Sequence, residues 1–282
     1  MSSPTIRHIS DTARWAAVYR ARETERKNAL FRDPFARRLA GERGEQIANA
    51  TPFHEKHSWS WVTRTYLFDS IIREQVAQGA DMVVNLAAGL DARPYRMQLP
   101  PSLKWVEVDF PEILAYKEEL LKAENPACML ERVRADLSDG EIRRSLLRRL
   151  ASETTKVLVI TEGLLIYLRA EEVSALAEDL KRFAAFKRWV LDIASPGLLR
   201  MLQKNTHQQF ASEVPPLQFA PADGPAFFAR YEWNPIEVHS MLKTAAGLKR
   251  LTFAMRLLAL LPENPNNSGS RPWSGVCLLA SQ

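Results

Sequence analysis

The chain of 282 residues has only two cysteines, Cys128 and Cys277. Two are too few for a disulfide framework or a cysteine-based zinc site, so a reducing cytoplasm is the expected compartment. No cluster of histidines or cysteines has ligand spacing, and no metal is expected. The amino terminus, "MSSPTIRHISDTARWAA", lacks the apolar core of a signal peptide. Long hydrophobic runs are missing too. The most apolar late stretch, "LTFAMRLLALL", contains Arg256 and is too short to span a bilayer, so a soluble protein with no membrane partner is expected. There is no internal repeat and no long low-complexity tract. The dinucleotide fingerprint G-x-G-x-x-G is also absent.

What is present is ordinary globular composition, with 46% hydrophobic and 25% charged residues. Length alone allows one large domain or two modest ones. A formal net charge of +5 and a pI near 9.3 raise the question of nucleic acid. Much of that excess lies in "EIRRSLLRRLASE", where Arg143, Arg144, Arg148 and Arg149 flank Leu146, Leu147 and Leu150. This is the spacing of an amphipathic helix with a solvated basic face, and no RNA-binding motif accompanies it.

Residues 10–80 are helical in pattern, and "SWSWVTRTYLFDSIIREQVAQG" ends at Gly79, a plausible helix stop. Strand-like runs follow at 81–87, 104–109, 155–161 and 188–194, with a weaker one at 127–134. Between them lie "PEILAYKEELLKAE", "SDGEIRRSLLRRLA" and "AEEVSALAEDLKRFAA", each with helical apolar spacing. Strands in alternation with helices predict an α/β fold with a parallel sheet covered on both faces. Residues 197–245 lean helical and carry Phe210, Phe219, Phe227, Phe228, Tyr231 and Trp233. Two closing strands are expected near 247–253 and 273–280, joined by the turn-rich "PENPNNSGSRP".

Ligands of open α/β sheets sit beyond the carboxyl ends of the strands. After the first strand the side chains shrink to Ala87, Ala88 and Gly89, which makes either a bare tight turn or a close approach for a ligand. Asp109 ends the second strand twenty residues beyond Gly89, the interval of a carboxylate that takes ribose hydroxyls in nucleotide-binding βαβ units. Asp136 and Leu137 follow the next strand. There an acid beside an apolar residue can grip an adenine, although Asp136 taken alone is an N-cap or turn residue. Glu162 ends the fourth strand, at the tip where a ligand or solvent must face it.

Four stretches in order carry a resemblance: "LFRDPFARRLAG" at 30–41, "VVNLAAGLDARPYR" at 83–96, "WVEVDFPEIL" at 105–114 and "VITEGLLIYL" at 159–168. Together they resemble the leucine carboxyl methyltransferase family of S-adenosylmethionine-dependent enzymes, which includes bacterial polyketide-type O-methyltransferases. The resemblance implies a seven-stranded, Rossmann-like class I methyltransferase sheet. It also implies a single domain over 1–282, with a helical lid at 1–80 and a cofactor-binding core at 81–195. A helical insertion and substrate cap at 196–245 and a closing strand pair at 246–282 complete that scheme.

The family's turn reads N-L-G-A-G-L-D, and Ala87 replaces its first glycine, which is tolerable if φ is negative there. The resemblance implies that Gly89 and its turn approach the methionine part of the cofactor. It gives Asp109 the ribose, Asp136 and Leu137 the adenine, and Glu162 the methionine amino group. Arg22, eleven residues before Asp33, and Arg64 match the two basic positions that hold the methionine carboxylate.

Methyl transfer from a sulfonium is an in-line displacement, so positioning and electrostatics are the protein's main contribution. A carboxylate acceptor needs no base. A hydroxyl needs one, and Tyr167, His54 and His57 are candidates without a catalytic residue being assigned. The expected activity is O-methylation of a small molecule at a carboxylate or hydroxyl, with S-adenosylmethionine as cofactor. An RNA methyltransferase, an NAD-dependent dehydrogenase and a non-catalytic S-adenosylmethionine-binding protein are the alternatives.

Overall fold

The computed structural model describes residue 6 and residues 8–50, 57–206, 215–267 and 269–281. Its seven-stranded sheet has the order β3-β2-β1-β4-β5-β7-β6. The strands are β1 Met82–Leu86, β2 Lys104–Asp109, β3 Met129–Arg134, β4 Val157–Thr161, β5 Phe186–Ala194, β6 Trp233–Ser240 and β7 Ser274–Ser281. β1 to β5 pair in parallel, and β7 runs antiparallel to both β5 and β6. All five residues of β1 and of β4 are buried, because helices cover both sheet faces there. The edge strand β3 alternates charge instead, with Glu131, Arg132 and Arg134 on a half-exposed ribbon.

Period-two alternation sorts each strand between two apolar layers. On one face Val84, Leu86, Trp189 and Leu191 meet α6 (Gly140–Glu153) and α7 (Ala170–Lys181) through Leu147, Leu150, Leu176 and Leu180. On the other, Val83, Trp105, Leu158 and Val190 meet Phe68 and Ile72 of α3 (Ser58–Ala77). α3 is therefore a layer of the sheet, not part of a lid. The covering role falls to α1 (Ile9–Thr24) and α2 (Ala36–Asn49), whose Trp15, Val18, Leu39 and Ile47 pack over Leu90 and Ile113. Two further helices, α4 (Arg93–Arg96) and α5 (Pro111–Leu121), follow β1 and β2.

The closing segment departs from expectation. The penultimate strand is Trp233–Ser240, inside the stretch expected to be a helical cap, and 247–253 holds no strand. Instead α9 (Met241–Gly247) ends there, and Lys249 turns the chain at φ 56 into α10 (Phe253–Ala259). Pro235 hides this strand from a sequence reading, since proline interrupts a ladder. It is tolerated because β6 is an edge strand whose register shifts between Pro235 and Glu237. The cap before β6 comprises α8 (Pro196–Thr206) and a 3₁₀ helix at Gly224–Tyr231.

Most of the insertion's described aromatic residues are core rather than acceptor wall. Phe228 and Trp233 are buried against Trp189, Phe227 against Phe228, and the Trp233 indole N–H donates to the Ala177 carbonyl at 3.0 Å. Trp233→Ala removes a large buried ring and leaves a cavity, so it should lower unfolding stability by about 3–5 kcal/mol. A urea titration that finds less than about 1 kcal/mol would place that ring outside the core.

Candidate active site

The carboxyl ends of β1 to β5 open onto one cavity of about 1500 Å³, covered by α1 and walled by α3, α8 and the segment after β6. Beyond Leu86 the chain turns through Ala87 at φ 56 and Gly89 at φ 49. Both values are left-handed, a conformation that costs a residue with a Cβ about 1 kcal/mol. The condition of a negative φ at Ala87 is therefore not met: the alanine takes a left-handed conformation that a glycine enters without strain. A Cβ at Gly89 would stand 3.2 Å from the Ala13 Cβ, so α1 lies directly over the turn.

The same turn orients Asp109. The Gly89 amide donates to its Oδ2 at 2.6 Å and the Phe110 amide to its Oδ1 at 2.8 Å. Burial raises the Asp109 pKa, and these two amides oppose the rise. One strand further, Asp136 accepts the Ser138 amide at 2.9 Å and its hydroxyl at 2.7 Å. Asp136 is thus a turn residue ahead of α6, whose N-cap is Asp139, and it also lines the cavity beside Leu137.

At the β4 tip, Glu162 accepts from Arg64 Nε at 3.1 Å and lies 2.8 Å from Arg93 Nη1. Arg64 also donates to Asp192 at 3.3 Å, and the Gly163 amide donates to the same carboxylate at 2.6 Å. Burial alone would lower the Arg64 pKa, but Asp192 and Glu162 hold it raised. Burial raises Asp192 against the pull of Arg64. Arg93 is 2% exposed and bridges Asp69, Asp91 and Glu162. Burial pushes the Asp91 carboxyl up, yet Arg93, Lys117 and Arg96 bring it down to about 2.

Residues 13–181 match the family described as Leucine carboxyl methyltransferase. The chain belongs to this family. A protein of Frankia alni, provisionally named an S-adenosyl-L-methionine-dependent methyltransferase, is 34% identical over 67% of this chain and 70% of its own length. A Streptomyces avermitilis protein with the same provisional name is 30% identical over 85% of this chain and 87% of its own. Among solved structures, a DUF574-family protein from Streptomyces avermitilis aligns with a TM-score of 0.60 at 12% identity, covering 96% of this chain and 97% of that one. A methyltransferase-like protein of Thermobifida fusca aligns with a TM-score of 0.54 at 17% identity, covering 86% and 89%. At those identities the likeness is one of fold. Family membership makes the chain a methyltransferase and removes the dehydrogenase alternative.

Of the residues expected from the family's motifs, Arg64, Ala87, Gly89, Asp109, Asp136, Leu137 and Glu162 all line the one cavity. Arg22 does not. Its guanidinium faces Glu45 at 3.1 Å and Asn49 at 3.3 Å on the α1–α2 side, so the expected pair of arginines around one carboxylate is not assembled. On α1 the arginine that reaches the cavity is Arg20, which donates to Asp33 at 2.9 Å and to the Leu90 carbonyl at 2.6 Å. Residues two apart on a helix point about 200° apart, so eleven-residue spacing alone did not choose between them.

Asp192 was missed as well. Its signal is an acid inside the apolar run "RWVLDIA", near the end of a strand that otherwise reads as pure core. Of the candidate bases, Tyr167 and His57 line the cavity and His54 lies outside the described residues. Phe219 alone of the described insertion aromatics borders the cavity, and Phe210 also lies outside the described residues. Among the described residues no group of three or more histidines, cysteines or acids is placed to hold a metal ion.

Two tests follow from this geometry. Ala87→Gly relieves the left-handed strain and should raise unfolding stability by about 0.5–1 kcal/mol, after the glycine's larger unfolded entropy is offset. A fall in the urea midpoint would show that the alanine methyl is packed usefully. Asp91 has its pKa lowered on folding, so its contribution is complete above the ordinary carboxylate range and is lost as pH falls toward about 2. That contribution is on the order of 2 kcal/mol. Asp91→Asn should be less stable at neutral pH and should lose less between pH ~4 and ~2 in acid titrations of the urea midpoint; parallel pH profiles would remove the assignment.

Proposed function

We propose that this chain transfers a methyl group from S-adenosylmethionine to a carboxylate or hydroxyl oxygen of a small, largely apolar molecule. Methyl transfer and the cofactor follow from family membership; the acceptor and the residue roles are our reading. One observation carries it: the Gly89 turn, Asp109, Asp136 and Glu162 stand at successive strand tips along one wall of a single cavity.

The residues present fit the cofactor on two counts. Each Asp109 oxygen takes one backbone amide and keeps lone-pair capacity for vicinal hydroxyls. The charges fit too. Arg20, Arg64, Arg93 and Arg96 form a connected chain of ion pairs with Asp33, Asp69, Asp91, Glu162 and Asp192, so this set has one negative charge in excess. A molecule with an ammonium, a carboxylate and a sulfonium has a net charge of +1 and neutralises that excess.

When bound, S-adenosylmethionine supplies a methyl already activated on sulfur. Asp109 binds the ribose, Asp136 and Leu137 hold the adenine, Glu162 takes the amino group, and Arg64 offers its guanidinium to the carboxylate. α1 excludes water from above the turn, with Arg20 tying it to the Leu90 carbonyl. An acceptor carboxylate arrives ionised and gives up no proton. A hydroxyl acceptor must pass its proton to the wall, where burial makes both Asp109 and Asp192 more basic and Asp192 is the one that the ribose does not occupy.

The far wall sets the substrate class. Trp59, Leu198, Met201, Leu217, Met241 and Leu258 line it, which suits an apolar or aromatic body. RNA finds less support. Arg143 pairs with Asp179, Arg144 with Glu141, and Arg149 with Glu131 and Glu153, so most of the basic run is internally neutralised.

Asp109→Ala should weaken S-adenosylhomocysteine binding about ten- to a hundredfold, or about 1.5–3 kcal/mol, as for hydrogen bonds lost to a charged group. Titration calorimetry checks this, and unchanged affinity would mean that the ribose lies elsewhere. For the acceptor, transfer of labelled methyl should reach members of a panel of apolar carboxylic acids and phenols. Label appearing in RNA alone would overturn the small-molecule reading.

A further inference from the structure

The segment after β6 is unlike the rest of the surface. α10 and the two residues beyond it expose Phe253 (77%), Leu257 (52%), Leu258 (55%), Leu260 (79%) and Leu261 (54%). These are half of the exposed large apolar side chains recorded among the described residues, gathered in nine positions. Ala259 alone of this helix is buried, in a small cluster with Ala245 and Leu251. A helix apolar nearly all round belongs inside a protein or against lipid, and among the described residues this one is covered only at Ala259 and, in part, at Met255.

Charge identifies what it fits. Residues 241–273 contain Lys243, Lys249, Arg250, Arg256 and Arg271 against the single acid Glu263, so most of the chain's net +5 resides here. Arg250 is tied inward, to Glu23 and the Asn28 carbonyl. The other four cations are exposed and make no ion pair among the described residues. The side chains also divide by direction: Leu258 and Leu261 line the active-site cavity with Met255, whereas Phe253, Leu257 and Leu260 do not.

We propose that residues 243–267 together with Arg271 form a docking surface for an anionic lipid bilayer, with Phe253, Leu257 and Leu260 entering the acyl region and Lys243, Lys249, Arg256 and Arg271 meeting lipid phosphates. Apolar area and cationic charge act together in such interfacial binding, and no membrane-spanning helix is required. Because α10 is also a wall of the cavity, docking sets the cavity mouth at the bilayer surface, where an apolar acceptor concentrates. The surface itself is independent of the acceptor's identity and of methyl transfer.

The test needs no turnover. The full chain is sedimented with vesicles of equimolar phosphatidylcholine and phosphatidylglycerol, and with vesicles of phosphatidylcholine alone. It should sediment with the anionic vesicles, less with the neutral ones, and less again as salt is raised. Phe253→Ser/Leu260→Ser changes two exposed side chains outside the cavity and should reduce anionic-vesicle partitioning by about tenfold or more. Lys249→Glu/Arg256→Glu should lose the preference for anionic lipid. Circular dichroism and the urea midpoint check that each variant is folded.

Failure to sediment with either vesicle overturns the proposal, as does equal partitioning of both variants and the parent chain. Light scattering separates the chief competitor: a dimer that Phe253→Ser/Leu260→Ser dissociates, without vesicle binding, would make this face an interface between two copies. Loss of vesicle binding with S-adenosylhomocysteine affinity intact would leave the proposed methyltransferase reading untouched.

Discussion

A guanidinium cannot shed its charge, so an arginine buried to 2% exposure must be surrounded by carboxylates, and Arg93 is. Asp69 of α3, Asp91 of the turn after β1 and Glu162 at the tip of β4 converge on it. From there the ion pairs continue through Arg96 to Asp33 on one side and through Arg64 to Asp192 on the other. Removing one partner of such a buried pair leaves an uncompensated charge, at a cost of about 3–5 kcal/mol. Three backbone segments far apart in sequence are therefore held in register by one side chain. Asp91, Glu162 and Asp192, which face the cavity, are members of that network, so their placement is inherited from the fold's own electrostatic needs.

The network also explains how the amino-terminal helices relate to the sheet. Asp33 accepts from Arg20 and lies 3.7 Å from Arg96, which joins α1 to α4 below the turn. Ala13 then rests over Gly89, where an added Cβ would stand 3.2 Å from its methyl. α1 is consequently fixed by charge at one end and by close packing at the other. The side of the cavity formed by strand tips and α1 is polar and in large part ion-paired, which suits a charged ligand.

The opposite side is built on other terms. α8, α9 and α10 contribute mainly apolar side chains, and α10 is anchored by little more than Ala259 and Met255. Elements with few buried contacts open at low free energy. On the proposed reading, the polar half holds the cofactor and the apolar half receives the acceptor.

Much of this was written in local pattern. Near-continuous β-branched and apolar runs marked β1, β2, β4 and β5, because burial on both faces selects those residues wherever the strand lies. The Gly89–Asp109 interval marked one site wall, since a βα turn and the next strand end are separated by a nearly constant length of helix and loop. β6 was not legible, because an edge strand tolerates Pro235 and exposes Ile236 and Val238, blurring the alternation. Nor was the choice of Arg20 over Arg22 at the cavity, which depends on how α1 is rotated against Leu90 and Asp33. Nor was Asp192, which sits in an apolar run while its partner Arg64 lies 128 residues away in sequence. Local sequence determines which segments are buried and where they turn, because those are properties of near neighbours. Which charges meet was decided only by tertiary structure, because an ion pair is set by distance in space and the chain brings its partners together from every part of the sheet.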